Sequence, residues 1–258
     1  MPLQSCLIGH TGFVGGNLAR AHSFDALFNS SNIDDISGKS FDLLVCAAPH
    51  ARKWWSNLHP EEDTLIVRNL AKVLNTVEAR RVVLISTIDV FPVLAAADES
   101  FDCHSLPNHT YGANRLYLED AVRERFANSH VIRLPALFGP GLKKNALFDL
   151  MHDNLVGNID PQSEFQWYDV GRLWADVNRT LSAGLELVVF ATQPVGTEAI
   201  RQRFFPESTI GKATDKSVRY GILTRHAELY GGRNGFIMTG EQVLDSMAAF
   251  INEARASA

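Results

Sequence analysis

The segment Gly9-His10-Thr11-Gly12-Phe13-Val14-Gly15-Gly16 constrains this chain more than any other. An apolar run, Leu3 to Ile8, precedes it, and a helix-like stretch, Asn17 to His22, follows it. Strand, glycine turn and helix start in that order form the layout that seats a dinucleotide pyrophosphate. Gly9 would permit the tight turn, Gly12 would leave room for the phosphates, and Gly15 would let the helix lie close to the strand. The helix start, with Thr11, Phe13 and Val14, brings unpaired N–H groups and positive dipole to an anion. The spacing is G-x-x-G-x-x-G rather than G-x-G-x-x-G, and a packed turn without a ligand is the competing reading of the motif alone.

Composition narrows the field. The formal net charge of −5 leaves no basic surplus to neutralise phosphates, which argues against a nucleic-acid binder. The 46% apolar content is ample for a core. Cys6, Cys46 and Cys103 have no metal-type spacing, and the nine histidines show no ligand spacing, so no catalytic metal is expected. Cys6 and Cys46 sit in apolar strand-like runs and fit a reducing compartment. Met1-Pro2-Leu3-Gln4 carries no charged leader, and no apolar run reaches the roughly 18 residues that span a bilayer. The expectation is a cytoplasmic protein without a membrane partner.

Short apolar runs alternate with helical stretches. Strands are expected at Leu3–Ile8, Ala26–Phe28, Phe41–Ala47, Arg81–Ser86, His130–Leu134, Phe165–Tyr168 and Glu186–Phe190. Helices are expected near 61–76, 111–128, 146–154 and 173–183, and after a Thr239/Gln242 capping box. Continuous apolar strands separated by helices predict an α/β fold, a doubly wound Rossmann-like parallel sheet covered on both faces. After Gly139-Pro140-Gly141 the pattern loosens. The expected division is a dinucleotide-binding domain over 1–142 and a small C-terminal substrate lobe over 143–258, interleaved with the last sheet strands and the C-terminal helix.

Two further regions belong to the cofactor end. The tip of the second strand reads Asn29-Ser30-Ser31-Asn32, with no acid to take both ribose hydroxyls and no arginine for a 2′-phosphate. The missing carboxylate removes a repulsion and tips the reading toward NADP over NAD. Asp34 and Asp35 follow as loop acids. The third strand ends in Ala47-Ala48-Pro49, where small residues let a ligand lie against the backbone or simply close a turn.

The chemistry-bearing segments are Ser86-Thr87-Ile88-Asp89 at the fourth strand end and Tyr111-Gly112-Ala113-Asn114-Arg115 at a helix start. Tyr111 and Arg115 are four apart and share a helical face. A tyrosine can move a proton at a carbinol carbon if a nearby cation favours its phenolate. A hydroxyl from Thr87 or Ser86 can hold the same oxygen.

On these residues the chain resembles the extended short-chain dehydrogenase/reductase family, the NAD(P)-dependent epimerases, dehydratases and dTDP-4-dehydrorhamnose reductase-like proteins. Gly9 to Gly15 resembles its glycine motif, and Ser86-Thr87-Ile88-Asp89-Val90-Phe91 resembles the segment that places Thr87 at the catalytic hydroxyl. Asp98-Glu99 resembles the acidic loop before Tyr-Gly. Arg133-Leu134-Pro135-Ala136-Leu137-Phe138-Gly139-Pro140-Gly141 is similar to another family stretch, which brings Pro135 to the cofactor. Asn69 matches a family asparagine on the helix before the fourth strand. The family's motif is Tyr-x-x-x-Lys, and Arg115 replaces that lysine, which would bond the nicotinamide ribose.

The resemblance implies hydride transfer on a nucleotide sugar or a related carbonyl or carbinol substrate, with Tyr111, Thr87, Arg115 and Ser86 as catalytic residues. A homodimer is implied by analogy. Lys143, Lys144 and Asn145 are candidates for a substrate phosphate, and Trp167, within Gln166-Trp167-Tyr168-Asp169, for a substrate contact. Trp54 and Trp55 beside Arg52 and Lys53 are expected on a loop near the site; His109 and His226 are weaker site candidates. The competing class is a non-catalytic NAD(P)-binding sensor or scaffold, which Arg115 motivates.

Overall fold

The computed structural model describes residues 4–215 and 217–256, so Leu3 of the expected first strand lies outside the described residues. In chain order the elements are β1 (Ser5–Ile8), α1 (Phe13–Ala21), β2 (Ala26–Phe28), β3 (Ser40–Cys46), α2 (Lys53–Leu58), α3 (Pro60–Leu74), β4 (Glu78–Thr87), α4 (Thr110–Arg125) and β5 (Ser129–Leu134). Then follow β6 (Ala136–Phe138), α5 (Ala146–His152), β7 (Glu164–Phe165), β8 (Trp167–Asp169), α6 (Leu173–Ala183) and β9 (Leu187–Val189). The chain ends with β10 (Val195–Gly196), α7 (Thr197–Phe204) and α8 (Gly240–Ala256). Two compact units result. One holds the chain up to Pro92 with Ser100–Leu134 and Leu173–Val189; the other holds Val93–Glu99, Pro135–Arg172 and the chain from Phe190 on. The chain therefore passes between the units several times.

The first unit carries a six-stranded sheet in the order β2-β1-β3-β4-β5-β9. Every pair in it is parallel, with Ile8 opposite Cys46 and Leu84 opposite Val131. Parallel strands covered on both faces must be apolar throughout. Accordingly every residue of β5 is buried. Cys6, Ile8, Leu44, Cys46, Val82 and Leu84 share one core with Val67, Leu70 and Leu74 of α3 and Leu118 and Val122 of α4. Strand order reverses between β1 and β3, and the carboxyl ends of those two strands flank the place where open α/β sheets hold ligands. Between β2 and β3 only a single 3₁₀ turn, Ile33–Ile36, makes the crossing.

The structure differs from the periodicity at three informative places. β4 begins at Glu78 rather than Arg81, because Arg80 pairs with Asp42 of β3 at 3.1 Å and Glu78 donates its N–H to the Lys39 carbonyl. Trp54 and Trp55 lie in helix α2, not in a loop; Trp55 stacks on His59 and Ser56 is buried against α3. The strand expected over Phe165–Tyr168 is split into β7 and β8 at Gln166. That residue is buried, and its side-chain amide serves the backbone of Thr192 and Ile222 instead of continuing one strand.

The second unit has two small sheets, antiparallel β10–β7 and parallel β6–β8. Phe138, Trp167, Tyr168, Phe190 and Tyr230 are buried in it. α8 opens with the reciprocal cap its sequence promises: Thr239 N–H donates to Gln242 Oε1 at 2.9 Å and Gln242 N–H to Thr239 Oγ1 at 3.3 Å. Replacing Thr239 with Ala is expected to cost about 1 kcal/mol in denaturant unfolding, as loss of an N-cap does; an unchanged midpoint would show that the cap is idle. Among the described residues no helix is long and apolar enough to cross a membrane, and no group of three His, Cys, Asp or Glu is placed to hold a metal ion.

Candidate active site

The glycine turn is built by steric necessity. Gly9 follows β1 with φ +88°, a region that side chains rarely adopt, and a Cβ there would stand 2.7 Å from the Ala47 carbonyl oxygen. A Cβ on Gly15 would stand 2.1 Å from the Gly9 carbonyl oxygen, so α1 and the end of β1 lie too close for any side chain. Gly12 is the N-cap of α1, without a side-chain cap, and the first turn of the helix contains no acid. Thr11 and Gly12 are exposed, and Phe13 and Val14 are half-buried. The motif thus fits a dinucleotide pyrophosphate: bare helix N–H groups beside a turn that admits no side chain.

The neighbouring strand ends are small or self-contained. Ala47, Ala48 and Pro49 are half-buried, and Ala47 abuts Gly9. At the β2 tip Asn29 Oδ1 accepts from the N–H and hydroxyl of Ser31, which closes the turn and leaves Ser30 exposed.

Around Tyr111 four elements meet. The turn after β4 is stapled to the start of α4 by Asn108, whose amide donates to the carbonyls of Asp89 and Val90. A Cβ on Gly112 would lie 2.2 Å from the Asp89 carbonyl oxygen, so Gly112 is what lets that turn approach the helix. Thr87 accepts the Asp89 N–H at 3.1 Å, and Asp89 pairs with Lys53 of α2 at 2.7 Å. α2 also reaches α4 directly, since Asn57 accepts the Tyr111 N–H at 3.0 Å. His109 caps α4 by accepting the Gly112 N–H on Nδ1. His226 belongs to the second unit.

Arg115 shows why it stands there. Its guanidinium lies 4.3 Å from the Tyr111 ring centre. Nη1 pairs with Asp63 of α3 at 2.8 Å, and Nη2 donates to the His50 carbonyl at 2.8 Å. Asp63 is wholly buried and also accepts from Ser56 and Asn114, each at 2.8 Å. Burial pushes that carboxyl up, but the hydrogen bonds from Arg115, Asn114 and Ser56 outweigh it and hold it below the usual carboxylate range. Burial and the nearby Arg52 push the His50 imidazole below its ordinary range, and its Nδ1 is buried with no hydrogen-bond partner among the described residues.

Arg115 pulls the Tyr111 phenol toward phenolate, as its place one turn away implies, but it is outweighed. Burial dominates and pushes the phenol up to about 12, against the pull of Arg115. Ser86 is also drawn elsewhere. Its hydroxyl donates to Glu119 Oε1 at 2.5 Å, and Glu119 takes two donors of the buried Arg133, whose guanidinium lies over Phe91.

Sequence reasoning missed Asp63, Ser56 and Asn57. A signal for the first existed: Asp63 falls in the inward row of α3 with Val67, Leu70, Ala71 and Leu74, where an acid demands a partner. Asn69, chosen instead, stands on the exposed face of that helix. In the second unit Pro135 is buried and Lys143 exposed. Asn145 spends its amide on a cap, accepting the Phe148 N–H and donating to the Leu137 carbonyl. Trp167 is 2% exposed and packs edge-on to Phe165, which makes it a core residue where a substrate contact was expected.

A doubly wound parallel sheet with a glycine turn at its switch point, and a tyrosine helix beside a Ser-Thr strand end, defines a Rossmann-like α/β protein. The chain belongs to the NAD dependent epimerase/dehydratase family, whose profile matches residues 22–158, more than half of the chain. The glycine turn lies ahead of the matched span. No curated protein sequence matches the chain.

Solved structures share the fold at low identity. A dTDP-4-dehydrorhamnose reductase from Clostridium acetobutylicum ATCC 824 is 14% identical with TM-score 0.77, over 98% of this chain and 100% of that one. The dTDP-4-dehydrorhamnose reductase of Bacillus anthracis str. Ames, in complex with NADP, is 16% identical with TM-score 0.75, over 98% and 99%. MoeE5 in complex with UDP-glucuronic acid and NAD is 18% identical with TM-score 0.73, over 99% and 100%.

Proposed function

We propose that this chain is an NAD(P)-dependent enzyme acting on a carbonyl or carbinol carbon of a nucleotide sugar. The observation that carries this reading is the join between the two halves of the site in the first unit. The glycine turn touches the β3 end at Ala47, and the loop beyond that end, at His50, is tied through Arg115 to Tyr111.

Gly9, Gly12 and Gly15, with the first N–H groups of α1, would hold the pyrophosphate, and Ala47 to Pro49 would line its path. Asn29 and Ser30, neither of them acidic, favour NADP over NAD at the ribose. The dinucleotide, when bound, supplies or accepts hydride. Thr87 Oγ1 orients the substrate oxygen, since Ser86 is engaged by Glu119. Tyr111 exchanges a proton with that oxygen. Arg115 braces the phenol ring and the loop after β3, and a ribose contact is left to the donors it does not spend there. The outward faces of α3 and α4 carry the exposed Leu65, Ile66 and Tyr117, which supports a homodimer through that helix pair.

NADP(H) and NAD(H) titrations by calorimetry, followed by a nucleotide-sugar screen at the nicotinamide absorbance band, test the reading. Binding with turnover is the expected result. Binding without turnover in both the parent and Arg115→Lys proteins would favour a sensor, a reading that the commitment of Arg115 to Asp63 supports. No binding of either dinucleotide would refute both.

A further inference from the structure

We propose that Asp63 is a positioning residue: it neutralises and fixes Arg115 beneath the Tyr111 ring, so that Tyr111 rests as a proton donor and the site takes a carbonyl group as its substrate. This rests on the enzymatic reading above and deepens it.

Charges of both signs surround the phenol. Arg115 on α4 is the nearest cation, stacked on the ring, but Asp63 on α3 meets it at 2.8 Å in a place where both side chains are almost wholly buried. From α2 comes Lys53, and from the turn after β4 comes Asp89, paired with each other at 2.7 Å. The remaining titratable neighbours are His109 at the α4 cap and His50 on the loop after β3, both kept toward neutrality by burial. Two cations and two anions therefore face Tyr111 and no net positive charge is left to stabilise a phenolate. Burial then decides, and it favours the neutral phenol, pushing it up to about 12.

A neutral phenol suits one half-reaction. Hydride passes from the reduced nicotinamide dinucleotide to the carbonyl carbon, and the C=O π pair becomes a lone pair on oxygen. That oxygen takes the Tyr111 Oη proton, giving the alcohol, the oxidised dinucleotide and a tyrosinate that regains its proton from water. An alcohol substrate would need the phenolate at the outset.

The test follows the ionisation of Tyr111 itself, without dinucleotide or substrate. The difference in absorbance near 295 nm between the parent and Tyr111→Phe proteins isolates this residue from the other tyrosines. The parent is expected to show no Tyr111 transition below about pH 10; a midpoint below pH 9 would overturn the proposal. Asp63→Asn is expected to bring the midpoint down by a pH unit or more, and Asp63→Glu to restore it. An Asp63→Asn midpoint no lower than that of the parent would overturn the role given to Asp63. The doubly substituted protein, Asp63→Asn with Arg115→Gln, removes both charges and is expected to keep the parent's behaviour. A drop there would also overturn the proposal, and this arm decides the matter if Asp63→Asn alone does not fold. A protein that meets these expectations yet binds neither NADP nor NAD would refute the enzymatic reading and leave the charge balance standing. A protein that reduces nucleotide sugars with a low Tyr111 midpoint would do the reverse.

Discussion

Tyr111→Phe is expected to lower turnover by about 10²–10⁴-fold, the range that a positioned proton donor contributes. Dinucleotide affinity should change little. The substitution removes one oxygen and keeps the ring on which Arg115 stacks, so the brace between α4, Asp63 and the His50 carbonyl persists. Steady-state rates on any substrate found in the screen, set beside calorimetric binding of NADP(H), separate the two effects. Full turnover in Tyr111→Phe would reject Tyr111 as the proton donor.

The second large effect concerns stability. Arg115→Met would leave Asp63 as an ionised carboxylate, wholly buried and without its cation. Unpairing a buried ion pair typically costs about 3–5 kcal/mol, because the surviving charge stays desolvated. For a chain of this size that corresponds to a fall in Tm on the order of 10 °C. Arg115→Lys should lose less but not nothing, since one compact ammonium cannot meet Asp63 and the His50 carbonyl with a planar fork. The folded state holds the Asp63 carboxyl below its ordinary range. The pair's contribution is therefore present at neutral pH and is lost as pH falls through the acid range where that carboxyl takes up a proton. Thermal unfolding of parent and variants from pH 7 down to about pH 2 checks both statements: a variant within about 1 kcal/mol of the parent at pH 7 would show that the pair is not structural.

Much of the sheet was legible because its signals are local. β2 and α6 fall where their periodicity puts them, and the remaining sheet strands shift by a residue or a few at their ends. β6 and α7 were not legible: one is three residues long, and the other is a polar eight-residue helix without a side-chain cap. At the site the balance tips the other way. The glycine turn and the Tyr111–Arg115 spacing were visible, yet the roles of Ser86, Asn145 and Trp167 were not. Each of these is decided by a partner or by burial in the folded chain.

What the sequence determined alone was the parallel α/β architecture and the turn at Gly9 to Gly15. Apolar runs and the absence of a Cβ act over a few residues and need no distant information. Tertiary structure decided the charge that Tyr111 feels. Arg115 meets its carboxylate across 52 residues of chain, and only once α3 and α4 pack together does the expected activating cation become half of a neutral, buried pair.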